Sequence, residues 1–290
     1  MIYWEVFSRE SVSNNQMQTH SEPKCCLRRR LAKPEVTVGS WIQLGQAAIA
    51  EIMAAAGYDW IVVDLEHSVI SLREAEEMIR IIRMSGVDPL VRLSHNDPVQ
   101  IKRVMDAGAE GLIVPMVKTA AEIAAAVDAV RYPPHGTRGV GLARAQGYGT
   151  RFEEYRAWVA HDSVVIAQIE HIEGVRNLDA ILRTPGVAGF IVGPYDLSGS
   201  LGVPGEFNHP DMLAALAEIR RVAALHPHLA AGYHVVPPKP ELVGQRIDEG
   251  YRFIAYSTDM IFIGETCRSG IQAVRADGPD ARYLRRPQAS

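Results

Sequence analysis

The chain has 290 residues, 47% of them hydrophobic, and a formal net charge of −4. That length can bury one large core or two small ones. The one basic block, LRRRL at 27–31, is too short for a nucleic-acid surface, and no apolar run approaches the ~18–20 residues that span a bilayer.

The first residues lack an apolar stretch after a basic start, so no secretory signal is expected. The three cysteines, Cys25, Cys26 and Cys267, have neither metal-site spacing nor the count for a disulfide framework, and a reducing cytoplasm is expected. Residues 1–35 are polar and show no clear period. They are expected to form a mobile or loosely docked extension, or an interaction arm using Trp4 and Phe7.

From Val36 the pattern is regular, and 36–290 is expected to be one domain. VGSWIQL at 38–44 predicts a strand, and Ala47 to Ala56 a helix stopped by Gly57. DWIVVD at 59–64 is a second strand, with a helix from Leu72 to Met84. Pro89 to Leu93 is a third, and its helix starts after Asn96-Asp97-Pro98, where proline suits a first turn. Gly111 to Val117 and Ala120 to Val130 form the fourth pair. A long glycine- and arginine-bearing loop follows, of a length usual for functional or mobile segments. A helix near Phe152 to Val159 precedes the fifth strand, VVIAQI, the helical EGVRNLDAILR and the sixth strand, VAGFIVG. Asp211 to Ala224 is helical. Leu229 to Val235 and Phe253 to Tyr256 are the last strands, with helices from Pro240 to Glu249 and from Met260 to about Ala273. Eight strand–helix units with nearly continuous apolar strands predict a (β/α)₈ TIM barrel. An open doubly wound sheet is the alternative, but no G-x-G-x-x-G follows the first strand.

A barrel carries its chemistry on the loops after the strands. The second strand delivers Asp64, Glu66 and His67 there, the third Arg92, the fifth Gln168 and Glu170, and the sixth leads to Asp196. Paired oxygen ligands with room for water suit a hard cation such as Mg²⁺ or Mn²⁺. Beside such a cation, a histidine, an arginine and an amide suffice for proton transfer next to a carbonyl. Each has a plainer reading. Glu170 and Asp196 could cap a helix and a turn. His67 could be a turn residue, Arg92 could pair with Asp64 or Glu66, and Gln168 could be a satisfied core amide.

DLEH at 64–67, VRLSHNDPVQIKRVMDAGAEGLIVPMV at 91–117, RYPPHGTRGVG at 131–141, QIE at 168–170 and GPYDLS at 193–198 stand in order, ungapped within each block. On these blocks, residues 36 to about 275 resemble the HpcH/HpaI family of metal-dependent (class II) pyruvate aldolases. The resemblance implies a (β/α)₈ barrel assembled as a hexamer, with the last helix exchanged between neighbours. It implies cleavage of 4-hydroxy-2-oxo acids to pyruvate, or a close relative, and an aldehyde, and the reverse addition. It further implies Glu170 and Asp196 as ligands of a divalent metal (Mg²⁺, Mn²⁺ or Co²⁺) and His67 as general base. Arg92 would steady the enolate oxygen, and Gln168 and the backbone at Tyr195 would bind substrate. Asp106 would raise the basicity of His67. The family often has alanine where Tyr195 stands, and the helix reading puts Asp106 near the far end of its helix.

Three other functions stay open on the residues alone. A Schiff-base aldolase would use Lys118. An acyl-CoA lyase of the citrate lyase β-subunit type would want a longer basic path for CoA. A catalytically silent barrel subunit would not need intact QIE, GPYDLS and EH. The aldehyde pocket is expected from the loops near 132–150 and a neighbouring subunit, with Asp64, Arg138 and Arg144 as candidates.

Overall fold

The computed structural model describes residues 26–277. Eight short strands close into a barrel: β1 Thr37–Ile42, β2 Trp60–Asp64, β3 Asp88–Arg92, β4 Gly111–Val114, β5 Val164–Ile169, β6 Gly189–Val192, β7 Ala230–Val235 and β8 Phe253–Thr258. Every pairing is parallel, and β8 returns to pair with β1. The expected (β/α)₈ barrel is therefore the observed fold. β-Branched residues are frequent in these runs, and burial on both faces lets them be largely apolar.

The helices are α1 Leu27–Leu31, α2 Ala47–Ala55, α3 Leu72–Met84, α4 Pro98–Asp106, α5 Ala120–Val130, α6 Phe152–His161, α7 Ile172–Arg176, α8 Leu178–Leu182, α9 Pro194–Ser200, α10 Pro210–Ala223, α11 Pro240–Asp248 and α12 Asp259–Asp277. Local chemistry sets where several begin. Ser71 with Glu74, and Thr119 with Glu122, form capping boxes on α3 and α5. Asp97 caps α4, with Pro98 in its first turn. The helices pack on the outward-facing strand side chains, such as Ile61, Val63, Val91, Leu112, Val165 and Phe190.

A second apolar cluster fills the inside of the barrel: Trp41, Trp60, Val62, Leu90, Ile113, Ile166, Ile191, Phe253 and their neighbours. Gly39 makes room for it, because a Cβ there would lie 2.1 Å from the Trp60 ring. Trp60 stacks on Phe253 at 4.1 Å between centroids.

Leu27 and Leu31 of α1 belong to this inner cluster, 1% and 3% exposed. The helix plugs the N-terminal mouth of the barrel. Arg28 donates to the carbonyls of Gly186 and Val187, at 2.8 and 2.9 Å. Arg30 donates to Glu35 and Asp59, at 2.8 and 2.7 Å. Two buried leucines contribute about 1.5–3 kcal/mol each. The reading of 1–35 as one loosely docked extension therefore fails from Cys26 onward, because α1 supplies the barrel's lower seal. Residues 1–25, with Trp4 and Phe7, lie outside the described residues.

Two more segments depart from expectation. GPYDLSGS, read as a turn, is the short helix α9, with Pro194 in its first turn. The helix between β5 and β6 breaks at Asn177 into α7 and α8. Among the described residues no helix is long and apolar enough to cross a membrane.

Candidate active site

Side chains alternate in and out along a strand, so every second residue faces the barrel axis. At the C-terminal mouth the inward positions hold Trp41 on β1, Asp64 on β2, Arg92 on β3, Gln168 on β5 and His234 on β7. Asp64 and Arg92 are fully or nearly buried. Arg92 Nε and Nη2 donate to Asp64 Oδ1 and Oδ2, at 2.8 and 2.5 Å. The guanidinium carbon lies 4.7 Å from the centroid of the Trp41 ring. Asp64 also accepts from Gln43 Nε2 at 2.9 Å and from the Glu66 N–H at 2.9 Å. Burial alone would push the Asp64 carboxyl up. The Arg92 hydrogen bonds and charge outweigh it and hold the group below its usual range.

Glu66 and His67 follow directly in the loop. Arg92 Nη1 is 3.0 Å from Glu66 Oε2, out of line for a hydrogen bond. Burial pushes Glu66 up, with Arg92 and His67 opposing and the charges of Asp64 and Asp196 adding. His67 stands at the rim, its side chain 58% exposed, with Nε2 3.9 Å from Glu66 Oε2.

On the opposite side of the mouth Glu170 is 2% exposed. It accepts from the Met116 N–H at 2.6 Å and from Gln168 Nε2 at 2.5 Å. Met116 adopts φ 51°, a left-handed conformation costly for a non-glycine residue, and its N–H meets this carboxylate. Burial pushes Glu170 up to about 8; the Met116 N–H and Arg92 oppose this, while Glu66 and Asp196 add to it. Asp196 is exposed in the first turn of α9. Gly193 lies against Glu170 and Gln168: a Cβ there would come within 2.8 Å of Glu170 Oε2 and 3.1 Å of Gln168 Nε2. Tyr195 is 51% exposed and turns its ring edge-on to Phe207, 4.9 Å between centroids.

A cavity of about 200 Å³ opens beside this site, lined by Glu66, Ser94, Asn96, Met116 and Glu122 among others. A larger one, about 420 Å³, lies at the opposite rim among Arg83, Glu110, Arg144, Tyr148 and Trp158 and contains none of these acids. The convergent polar groups, rather than the volume, mark the site.

The structure does not bring Asp106 to His67 within the chain. Asp106 ends α4, and helices of a barrel run opposite to its strands, so it sits at the N-terminal rim. There it pairs at 2.5 Å with Arg138, whose side chain is fully buried. Arg138 and Arg144 are likewise removed from the mouth of their own chain. Arg138 also donates to the Tyr155 hydroxyl at 3.1 Å, and Arg144 to the Ala107 carbonyl at 2.8 Å. Sequence reasoning passed over Trp41, Gln43, the Met116 N–H and His234. For Trp41 and His234 the signal was available: each stands on an inward position near the end of its strand.

The model of the HpcH/HpaI aldolase/citrate lyase family matches residues 37–263. The chain belongs to this family. It is 39% identical over 233 residues to the 2-dehydro-3,6-dideoxy-6-sulfogluconate aldolase of Pseudomonas putida, covering 79% of this chain and 89% of that one. It is 34% identical over 250 residues to the hydroxypyruvate/pyruvate aldolase of Roseobacter denitrificans, covering 85% and 96%. The crystal structure of an HpcH/HpaI aldolase/citrate lyase family protein from Burkholderia cenocepacia superposes with a TM-score of 0.81, at 34% identity, over 86% of this chain and 98% of that one. The family resemblance carried by DLEH, QIE and GPYDLS is borne out, and the chain is a carbon–carbon lyase of the aldolase type.

Among the described residues no three His, Cys, Asp or Glu side chains are grouped to hold a metal ion. The donor set that the resemblance implies is two carboxylates, Glu170 and Asp196, so water and substrate would supply the remaining positions. The residues fit such an ion. Glu170 is a buried acid with no cation in contact, and Gln168 Oε1 is buried without a hydrogen-bond partner. Gly193 leaves the space beside Glu170 Oε2 and Gln168 Nε2 open.

Proposed function

We propose that this chain is a divalent-metal-dependent aldolase. It cleaves 4-hydroxy-2-oxo acids to pyruvate or hydroxypyruvate plus an aldehyde, and runs the reverse addition. The observation that carries this reading is the placement of a buried, bidentately clamped Arg92 at the same mouth as the acids Glu170 and Asp196.

Glu170 and Asp196 would hold the ion, Mg²⁺, Mn²⁺ or Co²⁺, which as a Lewis acid favours charge on the oxo oxygen of the bound acid. Arg92 spends Nε and one N–H of Nη2 on Asp64 and keeps further N–H groups for the developing enolate oxygen. Because Asp64 and Trp41 fix the guanidinium, little reorganisation is needed as charge develops. Gln168 Oε1 accepts from substrate or from a water, and the Tyr195 N–H, in the first turn of α9 where helix N–H groups lack an intrahelical acceptor, would serve a substrate oxygen. His67, exposed at the rim, takes the proton from the C4 hydroxyl in cleavage and returns it in addition. Within the chain the acid beside it is Glu66.

The subunits are proposed to assemble as a hexamer through α12. Met260, Ile263, Ile271 and Val274 on this helix are 44–54% exposed, an apolar load that a partner would cover.

The test follows pyruvate release from a panel of 4-hydroxy-2-oxo acids, before and after chelation. Chelation is expected to abolish release, and Mg²⁺, Mn²⁺ or Co²⁺ to restore it. Borohydride trapping of pyruvate on Lys118, or cleavage confined to acyl-CoA thioesters, would overturn the reading.

A further inference from the structure

One side chain at the barrel mouth has no part in the chemistry above. His234 is the half-buried position of β7, whose other residues are buried. Ala230 belongs to the inner cluster, while Ala231, Tyr233 and Val235 pack outward, so the two-residue alternation turns His234 inward. Its ring lies 5.1 Å from that of Trp41, tilted by 43°. The charges of Arg92 and Asp64 both act on it.

The geometry fixes which nitrogen carries the proton. Nε2 is 3.3 Å from the Ser257 carbonyl oxygen. A carbonyl only accepts, so Nε2 must donate. That carbonyl is held in place. Ser257 adopts φ 54°, and its hydroxyl donates to the Val236 carbonyl at 2.9 Å. Ser40 Oγ approaches the same carbonyl at 3.3 Å. The imidazole is also uncharged, because burial first and Arg92 second push its pKa down to about 3. Nδ1 is then a bare acceptor, and no group of the described residues hydrogen-bonds to it.

An acceptor is an unusual need in this site. The oxo acid and the aldehyde present carboxylate and carbonyl oxygens, which also only accept. The one donor such substrates carry is a hydroxyl. We propose that His234 is a substrate-binding residue whose Nδ1 accepts a hydrogen bond from a substrate hydroxyl, so that the enzyme favours hydroxylated substrates over their deoxy counterparts. The proposal rests on the aldolase reading above. The hydroxyl is either that of hydroxypyruvate, on the donor side, or that of a hydroxyaldehyde, on the acceptor side.

Two ratios of kcat/KM test it in the full-length, metal-loaded enzyme. One compares hydroxypyruvate with pyruvate against a single aldehyde. The other compares glycolaldehyde with acetaldehyde against pyruvate. A ratio is insensitive to how much of a variant is correctly folded. His234→Leu, which has no acceptor, is expected to lower one of the two ratios roughly 10- to 100-fold, the scale of one lost hydrogen bond to a buried partner. His234→Gln, which keeps an acceptor, is expected to restore most of it. The arm that changes identifies the side on which the hydroxyl sits. If both ratios stay at the wild-type value in His234→Leu while the deoxy pair is still turned over, the proposal is overturned. A wild-type enzyme inactive on every pair would instead overturn the aldolase reading itself.

Discussion

Asp64 and Arg92 are register partners on β2 and β3, and their side chains close a two-bond ion pair at the barrel mouth. Backbone pairing and side-chain pairing thus fix the same residue twice. Arg92→Lys keeps the charge and loses the fork. Its turnover is expected to fall ~10²–10³-fold, the scale of one lost oxyanion donor. Steady-state kinetics with a thermal melt on the same sample checks this. An unchanged turnover would remove Arg92 from the reaction.

Glu170 gives the metal-free protein a pH dependence. Its folded-state pKa of about 8 lies above the unfolded value of 4.5. The protonated form therefore favours folding, and stability falls as pH rises from about 4.5 to about 8. The loss is of order 5 kcal/mol. Glu170→Gln is expected to flatten this slope in chelated samples. For the same reason, metal binding at pH 7 should release close to one proton. Calorimetry in two buffers of different ionisation enthalpy measures that number.

Gly193 is where a single methyl group tests the metal site. Its φ of −96° suits any residue, so alanine strains no backbone there. The new Cβ would press on Glu170 Oε2 and Gln168 Nε2. Gly193→Ala is expected to weaken metal affinity about tenfold or more, equal to ~1.4 kcal/mol, with the barrel intact. A wild-type metal titration would show that Glu170 does not need that space.

Asp106 distinguishes a structural role from a catalytic one. Asp106→Asn leaves the Arg138 charge buried without its carboxylate, which is expected to cost ~3–5 kcal/mol of stability. The pH profile of kcat at a permissive temperature should not move. A shifted profile would restore Asp106 as the partner of His67.

The plug helix is tested through the barrel interior. Leu27→Asp is expected to lower stability by ~3–5 kcal/mol, since it removes buried apolar surface and adds a charge there. Enzyme that still folds should keep wild-type KM, because α1 and the active site lie at opposite mouths.

Much of the fold was legible because β-branched runs and helical spacing report burial directly. Val62, Val91 and Ile166 have no other environment to suit. The site's acids were legible because they follow strands, and strand ends are where a barrel gathers polar groups. What stayed hidden depended on contacts distant in sequence. Leu27 and Leu31 are two leucines in a basic stretch, and only the closed barrel supplies the mouth they fill. Asp106 sits in a motif shared with the HpcH/HpaI family, yet its partner is Arg138, 32 positions along the chain. The helix at Pro194–Ser200 was missed because its glycine and serines read as a turn. His234 looked like one more residue in an apolar strand, and its meaning came from the parity set by Ala230.

The inner cluster and α1 close the barrel from below, leaving a well with a single opening. Traffic through such a well is first in, last out. On the proposed reading the oxo acid, held beside Glu170 and Arg92, would arrive before the aldehyde in synthesis and depart after it in cleavage. A sealed floor would thus impose an ordered sequence of binding and release on the reaction.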